Sequence, residues 1–467
     1  MLFIVIDKER KRSITSQIYA QLRKKILCGE LKSGERLPST RALSKDLEVS
    51  RNTVLTAFDM LVSEGYARSA PGSGIYVSRA AELPPPKPLR ADYSAASLSS
   101  ERLPANTINF DSGIPALQLF PRNKWNRAVS RAFLEAPASA LGYDDPQGRP
   151  ELRQTLAAWL ERSRGIRCDP EQIVVTSGAK QGLTLVAKCL LDRNGEAYLE
   201  DPSNCNVRQI FSYHTNRITP IPVDRSGIVT DALPRSGAPK LLFTTPSHQF
   251  PMGGILPVQR RLELVRFARG SGCYLVEDDY DSEFRYDGIP LSSLFELDGS
   301  RVIYVGTFSK VLFPSLRLGY LVLPYPLVGQ FVEWKRLADH HSNSINQLAL
   351  NSFIESGELE RHISRMKKIY NRRRCALLSL LEECFPGQVS VFGEAAGMHI
   401  VAGFQGVTFT PELVRRIREE GVYIVPVAKH SALDGHADQV ILGYAQLDPA
   451  KMKEGLLKLK QCLNTKA

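Results

Sequence analysis

Apolar positions near the N-terminus recur at helical spacing. Ile14, Ile18, Leu22 and Ile26 fall every four residues, which predicts a helix with one buried face. Gly29 closes it, and Leu31-Lys32-Ser33-Gly34-Glu35 predicts a turn. A second helix is predicted from Ser39, just after Pro38, carrying Leu43 and Leu47. A third starts at the capping residue Ser50 and holds Val54, Phe58, Leu61 and Val62 on one face. Two short strand-like runs follow, Gly65-Tyr66-Ala67-Arg68 and Gly74-Ile75-Tyr76-Val77, about Ser69-Ala70-Pro71-Gly72-Ser73. That pattern predicts a hairpin.

The pattern then breaks. Residues 83–88 read Leu-Pro-Pro-Pro-Lys-Pro, and Ser/Ala-rich sequence runs on to about Leu103. Consecutive prolines favour an extended, semi-rigid spacer. The expected layout is a domain over 1–78, a linker over 79–105 and a second domain over 106–467. In that second domain strand-like runs alternate with helical patterns. Ile173-Val174-Val175-Thr176 precedes Ser177-Gly178-Ala179 and a helix with Leu183, Leu185, Val186 and Leu190. Ala197-Tyr198-Leu199, Leu241-Leu242-Phe243, Cys273-Tyr274-Leu275-Val276 and Val302-Ile303-Tyr304-Val305 each end at polar residues, proline or glycine. Repeated strand–helix units predict an α/β fold with a mainly parallel, covered sheet and its chemistry at the C-terminal strand ends.

Composition narrows the class. Of 467 residues, 43% are hydrophobic and 23% charged, which excludes a disordered or collagenous chain. The eight cysteines include no pair at C-x-x-C spacing, so free thiols in a reducing compartment are expected and a zinc ribbon is not. His340, His341 and His399 show no metal spacing, so no metal is expected. No apolar run reaches the ~18 residues that cross a bilayer, and the first residues lack the basic flank of a signal peptide. A cytoplasmic location is expected. The formal net charge is +11, and residues 1–78 hold 13 Lys/Arg against eight Asp/Glu, which suits a polyanion partner.

Three helices and a hairpin predict a winged helix-turn-helix. The first turn of its third helix, Ser50-Arg51-Asn52-Thr53, suits base edges or phosphates in a major groove. Arg41, Arg68, Ser69, Gly72 and Ser73 suit backbone phosphates. A merely solvated polar face is the plainer alternative. Four ordered blocks decide against it: Gly34-Glu35-Arg36-Leu37-Pro38-Ser39-Thr40-Arg41-Ala42-Leu43, Val49-Ser50-Arg51-Asn52-Thr53-Val54, Glu64-Gly65-Tyr66, and Pro71-Gly72-Ser73-Gly74-Ile75-Tyr76-Val77. Together they closely resemble the GntR-type DNA-binding domain. The resemblance implies that Arg36, Ser39, Thr40, Arg41, Ser50, Arg51, Asn52, Thr53, Arg68, Gly72 and Ser73 lie at the surface of double-stranded operator DNA.

In the second domain, Ser177-Gly178-Ala179 between strand and helix is an anion-cradle pattern, since free backbone N–H groups at a helix start favour phosphate. Asp278 and Tyr280, two residues apart at a strand end, can leave the same side. A buried carboxylate there needs a cation, and a protonated pyridine nitrogen would serve. Gly306-Thr307-Phe308-Ser309-Lys310 then places a lysine after a buried strand, where desolvation frees its amine for imine chemistry. Thr307, Ser309 and Arg317 add donors for a phosphate. Aldehyde, phosphate and pyridine together describe pyridoxal 5'-phosphate.

This segment looks like a fold-type I aminotransferase. Joined to the GntR-type head, the whole chain resembles the MocR subfamily of transcriptional regulators. The blocks Gly142-Tyr143-Asp144-Asp145-Pro146-Gln147-Gly148, Thr244-Thr245-Pro246-Ser247-His248-Gln249-Phe250-Pro251-Met252-Gly253 and Glu277-Asp278-Asp279-Tyr280-Asp281-Ser282-Glu283-Phe284-Arg285-Tyr286 carry the match. The resemblance implies that Lys310 holds the cofactor as a Schiff base, Asp278 pairs with its ring nitrogen and Tyr280 touches its ring hydroxyl. It implies a phosphate held by Ser177, Gly178, Ala179, Lys180, Thr307, Ser309 and Arg317, and a Tyr143 that reaches a neighbouring subunit's site. A head-to-tail homodimer is implied as well.

Three positions depart from the family pattern. Ser203-Asn204 replace a Gly-Tyr whose tyrosine stacks on the cofactor, Ile441 stands where an arginine often grips a ligand carboxylate, and Phe250 replaces the asparagine of true aminotransferases. Three functions stay open on this reading. The first is a regulator in which an amine or amino-acid effector, or pyridoxal phosphate itself, reacts at Lys310 and alters DNA binding. The second is an active aminotransferase with a DNA-binding attachment, against which the departures argue. The third is a DNA-binding dimer whose large domain only dimerises, against which the intact Lys310, Asp278, Tyr280 and Arg317 set argues.

Overall fold

The computed structural model describes residues 4–7, 12–78, 103–104, 106–286 and 292–464. The chain divides into two units, residues 1–102 and 103–467. Of the expected linker over 79–105, only residues 103 and 104 are among those described.

The first unit is three helices and a two-stranded hairpin. The helices run Ile14–Leu27, Thr40–Asp46 and Arg51–Ser63, and the strands Ala67–Ala70 and Gly74–Val77. A serine caps each helix: Ser13 accepts from Ser16 N, Ser39 from Ala42 N at 3.1 Å and Ser50 from Thr53 N at 3.2 Å. Each such cap satisfies an otherwise orphaned amide, worth about 1 kcal/mol. Ile18, Leu22, Ile26, Leu43, Val54, Phe58 and Leu61 close one apolar core. The first strand begins two residues later than its apolar pattern suggested and runs on to Ala70. The reason is the turn: Ser73 N donates to Ala70 O at 3.0 Å and Gly72 takes φ +74°, so Pro71-Gly72 alone reverses the chain.

The second unit holds an eight-stranded sheet covered on both faces. From one edge the strands are Ile173–Thr176, Gly319–Val322, Val302–Thr307, Tyr274–Asp279, Pro239–Thr244, Glu196–Asp201, Arg217–Asp224 and Gly227–Ile228. Gly319–Val322 runs antiparallel to both neighbours, as does Gly227–Ile228 to its one neighbour; the remaining pairs are parallel. The expected mainly parallel sheet therefore carries two reversed strands. Alternation along each strand sorts its side chains between two cores. Val174, Leu199, Phe243, Val276, Ile303 and Leu321 face one, and Ile173, Val175, Tyr198, Leu242, Leu275 and Val302 the other. A smaller antiparallel sheet, built from Val389–Phe392, His399–Phe404, Gln439–Gly443 and Val425–Pro426, follows the 27-residue helix Glu358–Cys384.

Phe58→Ala should destabilise the first unit by about 3–5 kcal/mol, because a buried phenyl leaves a cavity. Leu55→Ala, on the exposed side of the same helix, should cost under about 0.5 kcal/mol. Denaturant midpoints of the head's helical signal compare the two.

Candidate functional site

The C-terminal ends of the sheet strands open on a cavity of about 430 Å³. Eight of the residues expected from sequence line it: Ala179, Lys180, Asp278, Tyr280, Thr307, Ser309, Lys310 and Arg317. Three others stand off. Ser177 points its hydroxyl at Asp339 Oδ2, 3.2 Å away, while its carbonyl accepts from Arg317. Gly178 lies behind the lining, at the helix start. Tyr143 is 86% exposed and packs its ring on His340, 4.7 Å between centroids.

Lys310 follows the strand Val302–Thr307 and turns its amine inward, where Nζ donates to Gly113 O at 2.8 Å. Gly113 has φ +78°, a conformation that favours glycine, and a β-carbon there would lie 2.3 Å from Nζ and displace the amine from its present position. Burial pulls the ammonium's pKa below its ordinary value; the carboxylates of Asp281, Asp111 and Asp278 offset part of that fall. Asp278 lines the cavity because strand alternation sends Glu277 and Asp279 to the far side. There Glu277 accepts from Leu294 N and Phe295 N at 3.1 Å, and Asp279 meets Arg164 and the Tyr304 hydroxyl at 2.5 Å. Asp278 Oδ1 is buried with no hydrogen-bond partner among the described residues. Burial pushes its carboxyl up to about 7; neighbouring Asp279 adds to the rise and Lys310 opposes it.

The opposite end of the cavity gathers groups that suit an anion. The helix Ala179–Leu190 begins at Gly178 with no acidic residue and no side-chain cap in its first turn, so its N-terminal amides and dipole are available. Gly178, at φ +90°, leaves room for the Arg317 guanidinium, which a β-carbon would meet at 3.1 Å. Thr307 Oγ1 donates to Ser309 Oγ at 3.1 Å and Lys180 completes the cationic rim.

Sequence reasoning passed over several lining residues. Asp111, Ser112, Gly113, Lys429 and His430 come from segments without a motif. His399, which shows no metal spacing in the sequence, is buried at the cavity wall with Nε2 on Pro251 O at 2.9 Å, and burial drives its pKa down to about 3. His248 sits in the Thr244–Gly253 block, to which no role was attached. Its Nδ1 lies 3.1 Å from each Asp281 oxygen and 2.9 Å from the Tyr280 hydroxyl. The departures have structural correlates. Asn204 caps the helix Cys205–Ser212 through Asn206 N at 3.0 Å, and Ile441 is buried among Met252, Val401, Val425 and Val427. Phe250 sets its ring against His399, His430 and Tyr280.

In the first unit, Arg36, Arg41, Arg51, Asn52, Arg68, Gly72 and Ser73 are exposed. Arg51 Nε donates to Thr40 Oγ1 at 3.3 Å, tying the start of the third helix to the second. Arg36 lies against Gly74 of the hairpin, and Arg68 stacks over Tyr76, 5.8 Å from its centroid. Ser50 and Ser39 spend their hydroxyls on the helix caps.

Comparison with known proteins identifies both units. The family Aminotransferase class I and II matches residues 105–459, and Bacterial regulatory proteins, gntR family, matches residues 14–77. Across its length the chain is 34% identical to the probable rhizopine catabolism regulatory protein MocR of Rhizobium meliloti, covering 98% of this chain and 95% of that protein. The chain belongs to the MocR subfamily of GntR-type regulators. The pyridoxine biosynthesis transcriptional regulator PdxR of Corynebacterium glutamicum is 31% identical, over 99% of this chain and 98% of its own. Among solved structures, the alpha-aminoadipate aminotransferase LysN of Thermus thermophilus superposes with a TM-score of 0.71 at 32% identity, over 77% of this chain and 92% of that one. This MocR-type chain is thus a DNA-binding transcriptional regulator with an aminotransferase-like domain. That domain is of a family that generally binds pyridoxal phosphate. No helix among the described residues is long and apolar enough to cross a membrane.

The Asp278 carboxyl yields a pH prediction. Its ordinary value is 3.8 and the folded value about 7, so the folded chain keeps a proton that the unfolded chain loses between those pH values. Stability is therefore lost as pH rises from about 4 towards 7. With bound small molecules stripped away, Asp278→Asn should gain about 2 kcal/mol on wild type at pH 7.5 relative to pH 5, read from urea midpoints.

Proposed function

We propose that the aminotransferase-like unit is a sensor that holds pyridoxal phosphate on Lys310, and that a primary amine, an amino acid or the cofactor itself acting there alters DNA binding by the winged helix. The observation that carries this reading is the buried, unpartnered Asp278 Oδ1 in the same cavity as the desolvated Lys310. A protonated ring nitrogen would satisfy that oxygen, and the residues present fit the group. Bound there, pyridoxal phosphate supplies an aldehyde for which Lys310 and an incoming amine compete.

The chain's own groups divide the work. Burial keeps the Lys310 amine ready as a nucleophile. Asp278 holds a proton at the ring nitrogen. Arg317, Lys180, Thr307, Ser309 and the amides of Ala179 and its neighbours bind the phosphate, with Ser177 and Gly178 shaping that turn. Tyr280 addresses the ring hydroxyl. The apolar Ile441 in place of a carboxylate-gripping arginine favours sensing over a completed transamination.

Exposed Phe133, Leu134, Leu141, Tyr143 and Leu337 support a homodimer; its head-to-tail arrangement, with Tyr143 serving the partner's cavity, follows from the family resemblance alone. The reading assigns residues 1–78 to operator DNA, 79–105 to a linker and 106–467 to sensing and dimerisation, in the cytoplasm. Arg36, Ser39, Thr40, Arg41, Ser50, Arg51, Asn52, Thr53, Arg68, Gly72 and Ser73 form its DNA surface.

Absorbance tests the sensor. With added pyridoxal phosphate, wild type should show a visible band that Lys310→Ala lacks, and one class of amine should shift it without releasing a keto acid. Steady keto-acid release would make the chain a working aminotransferase; no band would leave the large domain a dimerisation scaffold. On genomic fragments enriched by the wild-type chain, Arg51→Ala should weaken binding by about 5- to 150-fold, the loss of one good base contact, with the absorbance band unchanged.

A further inference from the structure

His248 is buried between Asp281 and Tyr280, and the cofactor apparatus described above makes no use of it. One ring nitrogen, Nδ1, faces three oxygens: both carboxylate oxygens of Asp281 at 3.1 Å and the Tyr280 hydroxyl at 2.9 Å. Nδ1 is either bare or protonated. If Nδ1 were bare and accepted from the phenol, its lone pair would point at a carboxylate, which is repulsive in a buried site. If Nδ1 carries the proton, a single N–H lies between the carboxylate and the phenol oxygen, and every contact is attractive. Nε2 agrees with the second arrangement. It is buried with no hydrogen-bond partner among the described residues, and a bare acceptor left unmatched costs less than an additional buried N–H of a charged ring.

The phenol then accepts from the histidine, so its own proton must point elsewhere. His248 Nδ1 is its hydrogen-bond partner among the described residues, and Tyr280 lines the cavity. The ring is held in this pose by glycines. A β-carbon at Gly397 would fall 2.0 Å from His248 Cε1 and 2.7 Å from Asp281 Oδ2, and one at Gly253 would fall 3.1 Å from Nε2.

We infer that His248 and Asp281 are positioning residues: they fix the Tyr280 phenol as a hydrogen-bond donor into the cavity, so that the site selects a ligand presenting an anionic oxygen at that point. Asp281 fixes the histidine tautomer, the histidine fixes the phenol's orientation, and the phenol discriminates ligands. This rests on the cofactor reading above, in which that oxygen belongs to the pyridoxal phosphate ring.

The test is a double-mutant cycle on the full chain with pyridoxal phosphate as the probe, reading dissociation constant and absorbance maximum. His248→Phe should weaken cofactor binding by about 10- to 150-fold, the worth of one hydrogen bond to a charged acceptor, and displace the absorbance maximum. In a Tyr280→Phe background the same substitution should change neither. His248→Asn, which retains an N–H near the Nδ1 position, should recover most of the affinity, and Asp281→Asn should resemble His248→Phe. Equal losses with and without the tyrosine, or an asparagine variant as weak as the phenylalanine one, would reduce the pair to packing. Nitrogen-15 chemical shifts of His248 in the cofactor-free chain read the tautomer directly. Protonation at Nε2 alone overturns the inference whatever the cofactor does, whereas protonation at Nδ1 with no visible band in wild type overturns the cofactor assignment and the ligand class with it.

Discussion

A lysine and an aspartate share one desolvated cavity without pairing with each other, and the arrangement of the second unit follows from that constraint. Lys310 rests its amine on the Gly113 carbonyl, and Asp278 keeps one oxygen with no hydrogen-bond partner among the described residues. Left alone, both groups are costly, since each loses hydration and gains little in return. A chain that keeps such a pair stores the cost against a ligand able to satisfy both ends. The same low dielectric that penalises the groups when empty strengthens their interactions with a ligand of matching charge.

Strand geometry is what puts them there. Asp278 pairs in register with Val305 of the neighbouring parallel strand, so the acidic strand end and the lysine-bearing turn emerge side by side. Alternation along Tyr274–Asp279 then divides three consecutive acids. Glu277 and Asp279 are committed to Leu294, Phe295, Arg164 and Tyr304, while Asp278 alone enters the cavity. A slip of one residue would exchange these roles, sending two carboxylates into the cavity and leaving the buried Arg164 unpaired. The dense packing behind the strand is therefore as necessary to the site as the residues that line it.

In a regulator, an amine-responsive cavity acts on DNA only by favouring one arrangement of the chain over another, and by no more than its differential affinity for the two. Ile441 is packed into a buried apolar cluster, and the imidazoles of His399 and His430, which line the cavity with Lys429, are held neutral, with pKa values driven by burial to about 3 and about 4.

Much of this was legible in the order of residues. The helical face Ile14, Ile18, Leu22 and Ile26, the capping serines at 39 and 50, and the glycine-containing wing turn each depend on contacts within a few residues, so local sequence settles them. The same holds for the lysine turn after Val302–Thr307 and the Gly178 helix start, where backbone conformation dictates residue type. What sequence order could not decide was the meeting of distant segments. Gly113 opposes Lys310 across 197 positions, His248 meets Asp281 across 33, and Ser177 turns to Asp339 instead of the cavity. Strand order and register create those encounters through long-range packing, and no pattern of neighbouring residues encodes which loops a folded sheet will bring together.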